Sequence, residues 1–267
     1  MKKALYIGLI VILVIALGVS GVYVAEYVID STTQTRQNNE LAQIVDEIKN
    51  AEATTVKTGA DYAAGKTGDA DEDEPEILPC YEEIHMRNTD TVGWISIDGT
   101  KLNYAVLQSS EEDANYYLYR DFYCADSSHG SIYASEWADV FEPSDNITIY
   151  GHNMKDGSMF ACLHDYIDKS AWEKNPLIFF DTIYEYHTYK IFAVFKTSGT
   201  DGVGFAYHQV NDIDNEADFN EFIKTCKDLA FYDTGITPAY GDKIICLSTC
   251  EYTIDNGRLV VAAVRIS

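Results

Sequence analysis

Short runs of β-forming residues recur from about Ile77 to the end of this 267-residue chain, and they limit the fold more than any other feature. Val, Ile, Tyr, Phe and Thr dominate the runs, while Gly, Pro, Asp and Asn separate them, as expected of strands joined by turns. About eight such strands in roughly 190 residues predict a mostly β domain, a closed or nearly closed barrel with added helices. The predicted strands are 92–97, 102–107, 131–134, 146–150, 177–183, 186–197, 243–249 and 258–266.

Helical patterns interrupt the strands at 158–168 and 216–229. In the second segment the apolar residues fall at a spacing of three and four, which places them on one helix face: Phe219, Phe222, Ile223 and Cys226. A further short helix is predicted after a cap at Asn38 or Asn39, because the next apolar residues share a face: Leu41, Ile44, Val45 and Ile48.

The N-terminal segment 4–25 contains no charged side chain. About 22 helical residues span roughly 33 Å, enough to cross a bilayer core. A cleaved signal peptide is the alternative, with the small residues 19–21 as a cleavage site, although its apolar region is usually only about 7–15 residues long. We favour an uncleaved anchor. Because Lys2 and Lys3 precede the span and Asp30 follows it, the positive-inside rule places the N-terminus in the cytoplasm and the rest outside.

Residues 51–76 offer almost nothing to bury and include the acidic run 71–76. This composition predicts a solvated linker. The sequence thus divides into a cytoplasmic tip and transmembrane anchor at 1–30, a short helix and acidic extracellular linker at 31–76, and a globular domain at 77–267.

The formal net charge is −24. Nucleic acid is therefore excluded as a partner, because its binding depends on clustered Lys and Arg. The acidity favours solubility, with attraction of a cationic substrate as a weaker possibility. The six cysteines include no CxxC pair, and no carboxylate cluster has metal-ligand spacing, so we expect neither a metal nor a cofactor. Most of these cysteines are expected to be small buried hydrophobic residues.

Two polar residues flank the loop between the last two predicted strands. Cys250 ends one strand, and Arg258 begins the next. If these strands form a hairpin, the guanidinium lies near the thiol, where it favours the thiolate and offers donors to an oxyanion. From the pair alone, a buried core cysteine and a solvated arginine remain the alternative.

His152 follows another predicted strand through a glycine, Gly151. A cysteine nucleophile needs an acid/base that titrates near neutral pH, because a leaving amine must collect a proton. None of the other five histidines follows a strand in this way. His129 lies in Ser-His-Gly-Ser, which resembles the Ser-His-Gly-Cys motif of L,D-transpeptidases, but Ser131 stands where that nucleophile should be.

Together these segments resemble a class B sortase, a cysteine transpeptidase of Gram-positive bacteria. The resemblance covers nearly all of 77–267 and rests on three motifs: Tyr-Gly-His-Asn-Met-Lys-Asp-Gly-Ser-Met-Phe at 150–160, Leu-Ser-Thr-Cys at 247–250, and Asn-Gly-Arg-Leu-Val-Val at 256–261. It implies a closed sortase-type β-barrel of about eight strands with flanking helices, preceded by the transmembrane helix.

The resemblance also implies a reaction and its residues. A C-terminal sorting signal of a secreted protein is cut after threonine, a cysteine holds the acyl group as a thioester, and an amine of a peptidoglycan precursor resolves it. Cys250 would be the nucleophile, His152 the acid/base and Arg258 the stabiliser of the oxyanion. Ser248 and Thr249 would line the substrate groove, with strand-end polar residues of no substrate role as the alternative.

Cys246 departs from the family, which usually has a hydroxyl residue four positions before the cysteine. A disulfide with Cys250 is not expected, because residues at that spacing along a strand are too far apart. Two other functions stay open: a membrane-tethered cysteine protease that only hydrolyses, and a non-catalytic anchored β-barrel ectodomain.

Overall fold

In the computed structural model of the protein, the described residues are 2–58, 75–200 and 202–267. They form four α-helices: α1 (Lys2–Thr58), α2 (Pro79–Arg87), α3 (Lys169–Lys174) and α4 (Glu216–Leu229). They also form eight strands: β1 (Thr91–Ser96), β2 (Asn103–Leu107), β3 (Ile132–Ala134), β4 (Asn146–Tyr150), β5 (Leu177–Thr182), β6 (Thr188–Ser198), β7 (Ile244–Glu251) and β8 (Gly257–Arg265).

The eight strands close into a barrel in the order β1-β2-β3-β4-β7-β8-β6-β5, and β5 pairs back onto β1. This confirms the predicted mostly β fold. Two neighbouring pairs run parallel, β2 with β3 and β4 with β7. The β4–β7 pair is important for the site described below, because the carboxyl ends of these two strands meet at the same end of the barrel. Alternate residues of each strand fill the interior, among them Ile149, Leu247 and Val261.

Helix α4 covers the outside of the barrel across β6, β7 and β8. Its predicted apolar face is confirmed, since all four of its members are buried: Phe219, Phe222, Ile223 and Cys226. Asn215 caps the helix by accepting a hydrogen bond from the backbone N–H of Asp218.

The predicted helix at 158–168 is only partly confirmed. The segment forms a 3₁₀-helix, Ala161–Ile167, and α3 then begins behind a cap at Asp168. Strand ends also shift by one or two residues from the prediction. The largest consequence is in β7, which continues to Glu251, so Cys250 lies inside a paired strand and not beyond its end.

Helix α1 is continuous over 57 residues, so the predicted helix start at Asn38 or Asn39 is wrong. Residues 51–58 belong to the same helix, although they were expected to be linker. The acidic run up to Glu74 lies outside the described residues.

The two halves of α1 have different surroundings. The first half contains a window with a mean hydropathy of 2.7, long and apolar enough to cross a membrane, and none of it is buried. The second half packs on the barrel, with Leu41 and Val45 buried. Lys49 Nζ there forms an ion pair with Asp181 at 2.8 Å. Packing of one apolar face on the barrel stabilises this half of the helix more than the helix propensity of its residues does.

Candidate active site

Cys250 and Arg258 are direct cross-strand partners in the β7–β8 hairpin. Directly opposed residues of an antiparallel pair project to the same face, with Cβ atoms about 4.5–5.5 Å apart. The predicted hairpin is therefore confirmed, and it places Cys250 and Arg258 opposite each other; the proximity of thiol and guanidinium stays a prediction. Both side chains are partly exposed, so they face solvent at the end of the barrel.

The parallel pairing of β4 with β7 brings His152 beside Cys250. Tyr150 is in register with Ser248, and each functional residue lies two positions further along its strand direction. Gly151 N donates to the Ser248 carbonyl at 3.2 Å, which continues the ladder beyond the strand end. Two residues that are nearly a hundred positions apart in the sequence thus lie on neighbouring segments of the same barrel.

The backbone carbonyl of Cys250 is held by two side chains that sequence reasoning did not select. His164 Nε2 lies 3.1 Å from this oxygen, and Asn153 Nδ2 lies 3.4 Å from it. A carbonyl only accepts, so the Asn153 amide donates to it, and Asn153 Nδ2 also lies 2.9 Å from His164 Nε2. Asn153 directly follows His152 in the sequence, which is a weak hint. His164 comes from the 3₁₀-helix, and nothing in its own segment indicates the contact.

The imidazole of His152 is oriented by the main chain of a 3₁₀-helix, Tyr116–Tyr119. Its Nε2 lies 2.7 Å from the carbonyl oxygen of Leu118, and the ring of Tyr119 lies 5.7 Å away. Because the carbonyl can only accept, Nε2 carries a proton, and Nδ1 is left for proton transfer.

Two glycines allow the close approaches on which this arrangement depends. A Cβ on Gly151 would lie 2.4 Å from Ile132 Cδ1 and 2.8 Å from the ring of Phe160. A Cβ on Gly130 would lie 2.4 Å from the Leu118 carbonyl oxygen, and its φ of +58° also disfavours a side chain. Larger residues at either position would displace the His152 segment or the carbonyl that orients it.

Arg258 lines an open groove that also touches Tyr150 at the end of β4 and Gly199 after β6. The groove has a volume of about 540 Å³, and its wall also includes Glu136, Trp137, Tyr150, Tyr207 and His208. The guanidinium itself is held by the main chain of its loop, since Nη1 donates to the carbonyls of Asn256 at 3.3 Å and Gly257 at 3.0 Å. A positive charge therefore stands at one end of a groove with aromatic and polar walls.

Ser248 and Thr249 are both buried and both use their hydroxyl groups on the protein. Ser248 Oγ lies 2.6 Å from the hydroxyl of Tyr207, a residue of the groove wall. Thr249 Oγ1 donates to the Gly151 carbonyl at 2.7 Å. Thr249 thereby ties the strand of Cys250 to the residue that precedes His152. The predicted substrate-lining role of the two residues stays a prediction.

Glu251, the residue after Cys250, anchors the β7–β8 loop. It is buried, forms an ion pair with Lys196 at 2.8 Å, and accepts hydrogen bonds from the backbone and hydroxyl of Thr253. Burial alone would raise the pKa of Glu251, but the hydrogen bonds from Lys196 and Thr253 outweigh it and lower the pKa to about 2.

Lys196→Met is expected to lower the free energy of unfolding by about 1–3 kcal/mol at neutral pH, since it removes a charged hydrogen bond from a buried carboxylate. Because the pKa of Glu251 is lowered to about 2 by folding, the difference from wild type should be complete above about pH 5 and disappear as the pH falls toward 2. Chemical denaturation across this pH range measures it. Lys190→Met on the same strand is the control, as Lys190 has no ion pair among the described residues. Equal losses for both variants would contradict the assignment.

Three of the other thiols are shielded by burial. All six cysteines are free, Cys246 and Cys250 among them. Burial raises the pKa of Cys162 to about 11 and raises the pKa values of Cys226 and Cys246 as well. These thiols therefore stay protonated and unreactive near neutral pH. Over the described part of the chain, no group of His, Cys, Asp and Glu could hold a metal ion.

A family model described as the Sortase domain matches residues 95–266, a stretch that contains His152, Cys250 and Arg258. The chain belongs to the sortase family. Among curated proteins, Sortase B of Staphylococcus aureus is 32% identical over 192 residues, covering 71% of this chain and 76% of that protein. Sortase B of Listeria monocytogenes is 34% identical over 189 residues, covering 70% and 74%.

The structural comparison gives the same class. The Staphylococcus aureus sortase B–substrate complex superposes with a TM-score of 0.72 at 27% identity, covering 90% of this chain and 99% of that chain. The sortase described here is accordingly a class B enzyme, a cysteine transpeptidase. The closed barrel and its flanking helices are the sortase fold that the motifs predicted.

Proposed function

We propose that this sortase cuts a C-terminal sorting signal of secreted proteins after a threonine and transfers the acyl group to an amine of a peptidoglycan precursor. The observation that carries the proposal is the register that places Cys250 and Arg258 opposite each other in β7 and β8 and places His152 just beyond the end of the adjacent β4. A thiol, an acid/base and a fixed cation are the three groups that acyl transfer from a peptide requires.

In the first half-reaction the Cys250 thiolate attacks the threonine carbonyl and forms a tetrahedral intermediate. The guanidinium of Arg258 stabilises its oxyanion. The C–N bond then breaks, His152 gives its proton to the leaving amine, and a thioester remains on Sγ. In the second half-reaction His152 removes a proton from the incoming amine, which attacks the thioester and returns the thiol.

The groove beside Arg258 is the proposed site of the sorting signal. Its volume is about 540 Å³, and Arg258 in its wall is the cross-strand partner of Cys250, so a peptide bound there would lie beside the thiol. The solved structure from Staphylococcus aureus that resembles this chain is a substrate complex, which supports binding of a substrate to this fold. Aromatic and polar walls offer contacts to both the backbone and the side chains of such a peptide.

The first half of α1 is proposed to span the membrane once, with the N-terminus in the cytoplasm and the catalytic domain on the cell-wall face. Its support is the exposed apolar surface of the helix, together with Lys2 and Lys3 before the span. The division at residues 30 and 76 stays a prediction, and the docked second half of α1 favours counting residues up to Lys49 with the barrel.

The decisive experiment is mass spectrometry of the full chain in detergent micelles, mixed with a small library of sorting-signal peptides of the Asn-Pro-x-Thr, Ser-Pro-x-Thr and Leu-Pro-x-Thr types. We expect cleavage after Thr, a thioester adduct on Cys250 and, with an added peptide amine, a ligated product. Cleavage without any ligated product would favour the hydrolytic protease. An absence of cleavage with an unreactive Cys250 would favour the non-catalytic ectodomain.

Thr249→Val is expected to lower kcat about 10-fold with little change in KM, because the lost hydrogen bond to Gly151 loosens the segment that carries His152. Steady-state cleavage of the library's best peptide measures it. The matched control is Thr148→Val: Thr148 is also buried, but its hydroxyl has no hydrogen-bond partner among the described residues, so its removal should leave kcat unchanged. Equal effects of both substitutions would show that Thr249 has no special role.

A further inference from the structure

His129 lies between two carboxylates in a buried site that the catalytic chemistry does not use. It is 1% exposed. Its Nδ1 is 3.2 Å from Asp30 Oδ2, and its Nε2 is 3.1 Å from Asp156 Oδ2. Ionised carboxylates only accept hydrogen bonds, and an imidazole donates from both nitrogens only as the imidazolium. The geometry therefore holds a cation between two anions, which satisfies all three groups.

Asp156 lies at the tip of the loop that carries His152. The base of the loop is closed by Phe160 N, which donates to the His152 carbonyl at 2.9 Å. At the tip, Asp156 accepts a hydrogen bond from Ser158 N at 3.0 Å as well as the contact from His129. Burial alone would raise the pKa of Asp156, but its hydrogen bonds, that of His129 among them, hold the pKa well below its usual value. The tip and His152 therefore belong to one short loop that is closed by a backbone hydrogen bond.

Asp30 and its neighbours belong to α1, five residues after the uncharged segment and thus about 7.5 Å along the helix axis. Asp30 accepts hydrogen bonds from Ser127 Oγ at 3.0 Å and Ser128 N at 2.8 Å. Ser31 Oγ donates directly to Asp156 Oδ2 at 2.7 Å, and the ring of Tyr27 stacks on His129 at 5.6 Å. One turn of the anchor helix therefore supports the tip of the His152 loop.

We propose that His129 is a positioning residue that couples the anchor helix to the catalytic acid/base: it donates to Asp30 and Asp156 together and so fixes the loop of His152. The inference rests on the proposed function, because it assigns a support to the acid/base of that reaction. It makes the stretch just after the membrane span part of the active-site framework.

A second contact of α1 with the barrel can distinguish a positioning role of His129 from a role in holding the helix on the barrel. Lys49, 19 residues further along α1, pairs with Asp181 near the other end of the barrel and does not contact the His152 loop. If α1 only needs to be docked, loss of either contact should have similar effects. If His129 positions the loop, substitutions at the Asp30 end alone should slow the chemistry.

The experiment compares His129→Gln and Asp30→Asn with Lys49→Met, each in the full chain in detergent micelles. Three properties are measured: kcat and KM for cleavage of a sorting-signal peptide, thermal stability, and the pH dependence of Cys250 alkylation by iodoacetamide, followed by peptide mass spectrometry. Cys124, an exposed thiol, is alkylated in the same samples and serves as the internal control.

We expect kcat to fall about 10-fold or more in His129→Gln and Asp30→Asn, with KM changed less than about 2-fold. The alkylation profile of Cys250 should move to higher pH in both, because a misplaced imidazolium no longer favours the thiolate, while that of Cys124 stays in place. Lys49→Met should keep wild-type kcat.

Equal kcat in all three variants and wild type, or equal losses in all three, would overturn the inference. If His129→Gln does not fold, Asp30→Asn decides by the same criteria. A wild-type chain that cleaves no sorting-signal peptide would refute the proposed function instead. The alkylation profiles would then still decide whether His129 supports the Cys250–His152 pair.

Discussion

Cys250→Ala is expected to abolish both cleavage and transfer, lowering the rate by about four orders of magnitude or more, to the background. The reason is covalent: without Sγ no thioester forms at this position. The nearest thiol along the strand, Cys246, is fully buried, and burial raises its pKa. Steady-state rates and the intact mass of the enzyme after exposure to peptide measure the effect.

Cys124→Ala is the matched control, because it removes a free and exposed thiol from a loop without touching the site. It should keep wild-type rates, and its mass spectrum should still show the acyl adduct. Cys250→Ser adds a second test. An alcohol is a weaker nucleophile at neutral pH, so cleavage should stay below about 1% of wild type. Rates above that level in Cys250→Ala would move the nucleophile elsewhere.

The sequence was sufficient for the parts of the site that lie on regular strands. The β-forming run before Cys250 and the run after Arg258 predicted a hairpin, and pairing in register follows almost automatically from a short loop. The buried face of α4 could also be predicted, since the spacing of its apolar residues matches the helical period. In both cases the signal is local.

The contacts that orient these residues could not be predicted in the same way. The carbonyl of Leu118 that binds His152, and the His164 side chain that binds the Cys250 carbonyl, come from irregular or 3₁₀ segments. Backbone carbonyls carry no sequence signal, and a lone histidine in such a segment has many possible partners. These interactions follow from how loops are placed by the closed barrel, a long-range property of the fold.

The predicted start of a helix at Asn38 or Asn39 was wrong for a different reason. Residues 31–39 include several Ser, Thr and Asn, which have modest helix propensity and favour caps, so a break near Asn38 was the natural local prediction. Tertiary contacts override that preference. Asp30 binds the 127–129 segment, Asn38 donates to the Asn103 carbonyl, and Leu41 is buried, so the barrel itself keeps the helix continuous.

Arg258→Lys is expected to lower kcat/KM by about 10²–10³-fold although the charge is retained. The main-chain carbonyls of Asn256 and Gly257 bind one edge of the guanidinium, so the planar group is fixed while its other donors remain available to an oxyanion. An ammonium has no such fork, and it would have to leave those carbonyls to reach the substrate. Cleavage rates at subsaturating peptide measure the loss.

The control for this substitution lies on the same strand. Arg265→Lys, at the far end of β8, should stay within about 2-fold of wild type, since that end of the strand pairs with Tyr189 away from the site. Thermal stability should be unchanged in both variants. If Arg258→Lys retained full activity while Arg258→Ala did not, a point charge would be sufficient, and the role of Arg258 would be to favour the Cys250 thiolate. If Arg258→Lys and Arg258→Ala lost activity equally, the oxyanion would require the planar geometry of the guanidinium.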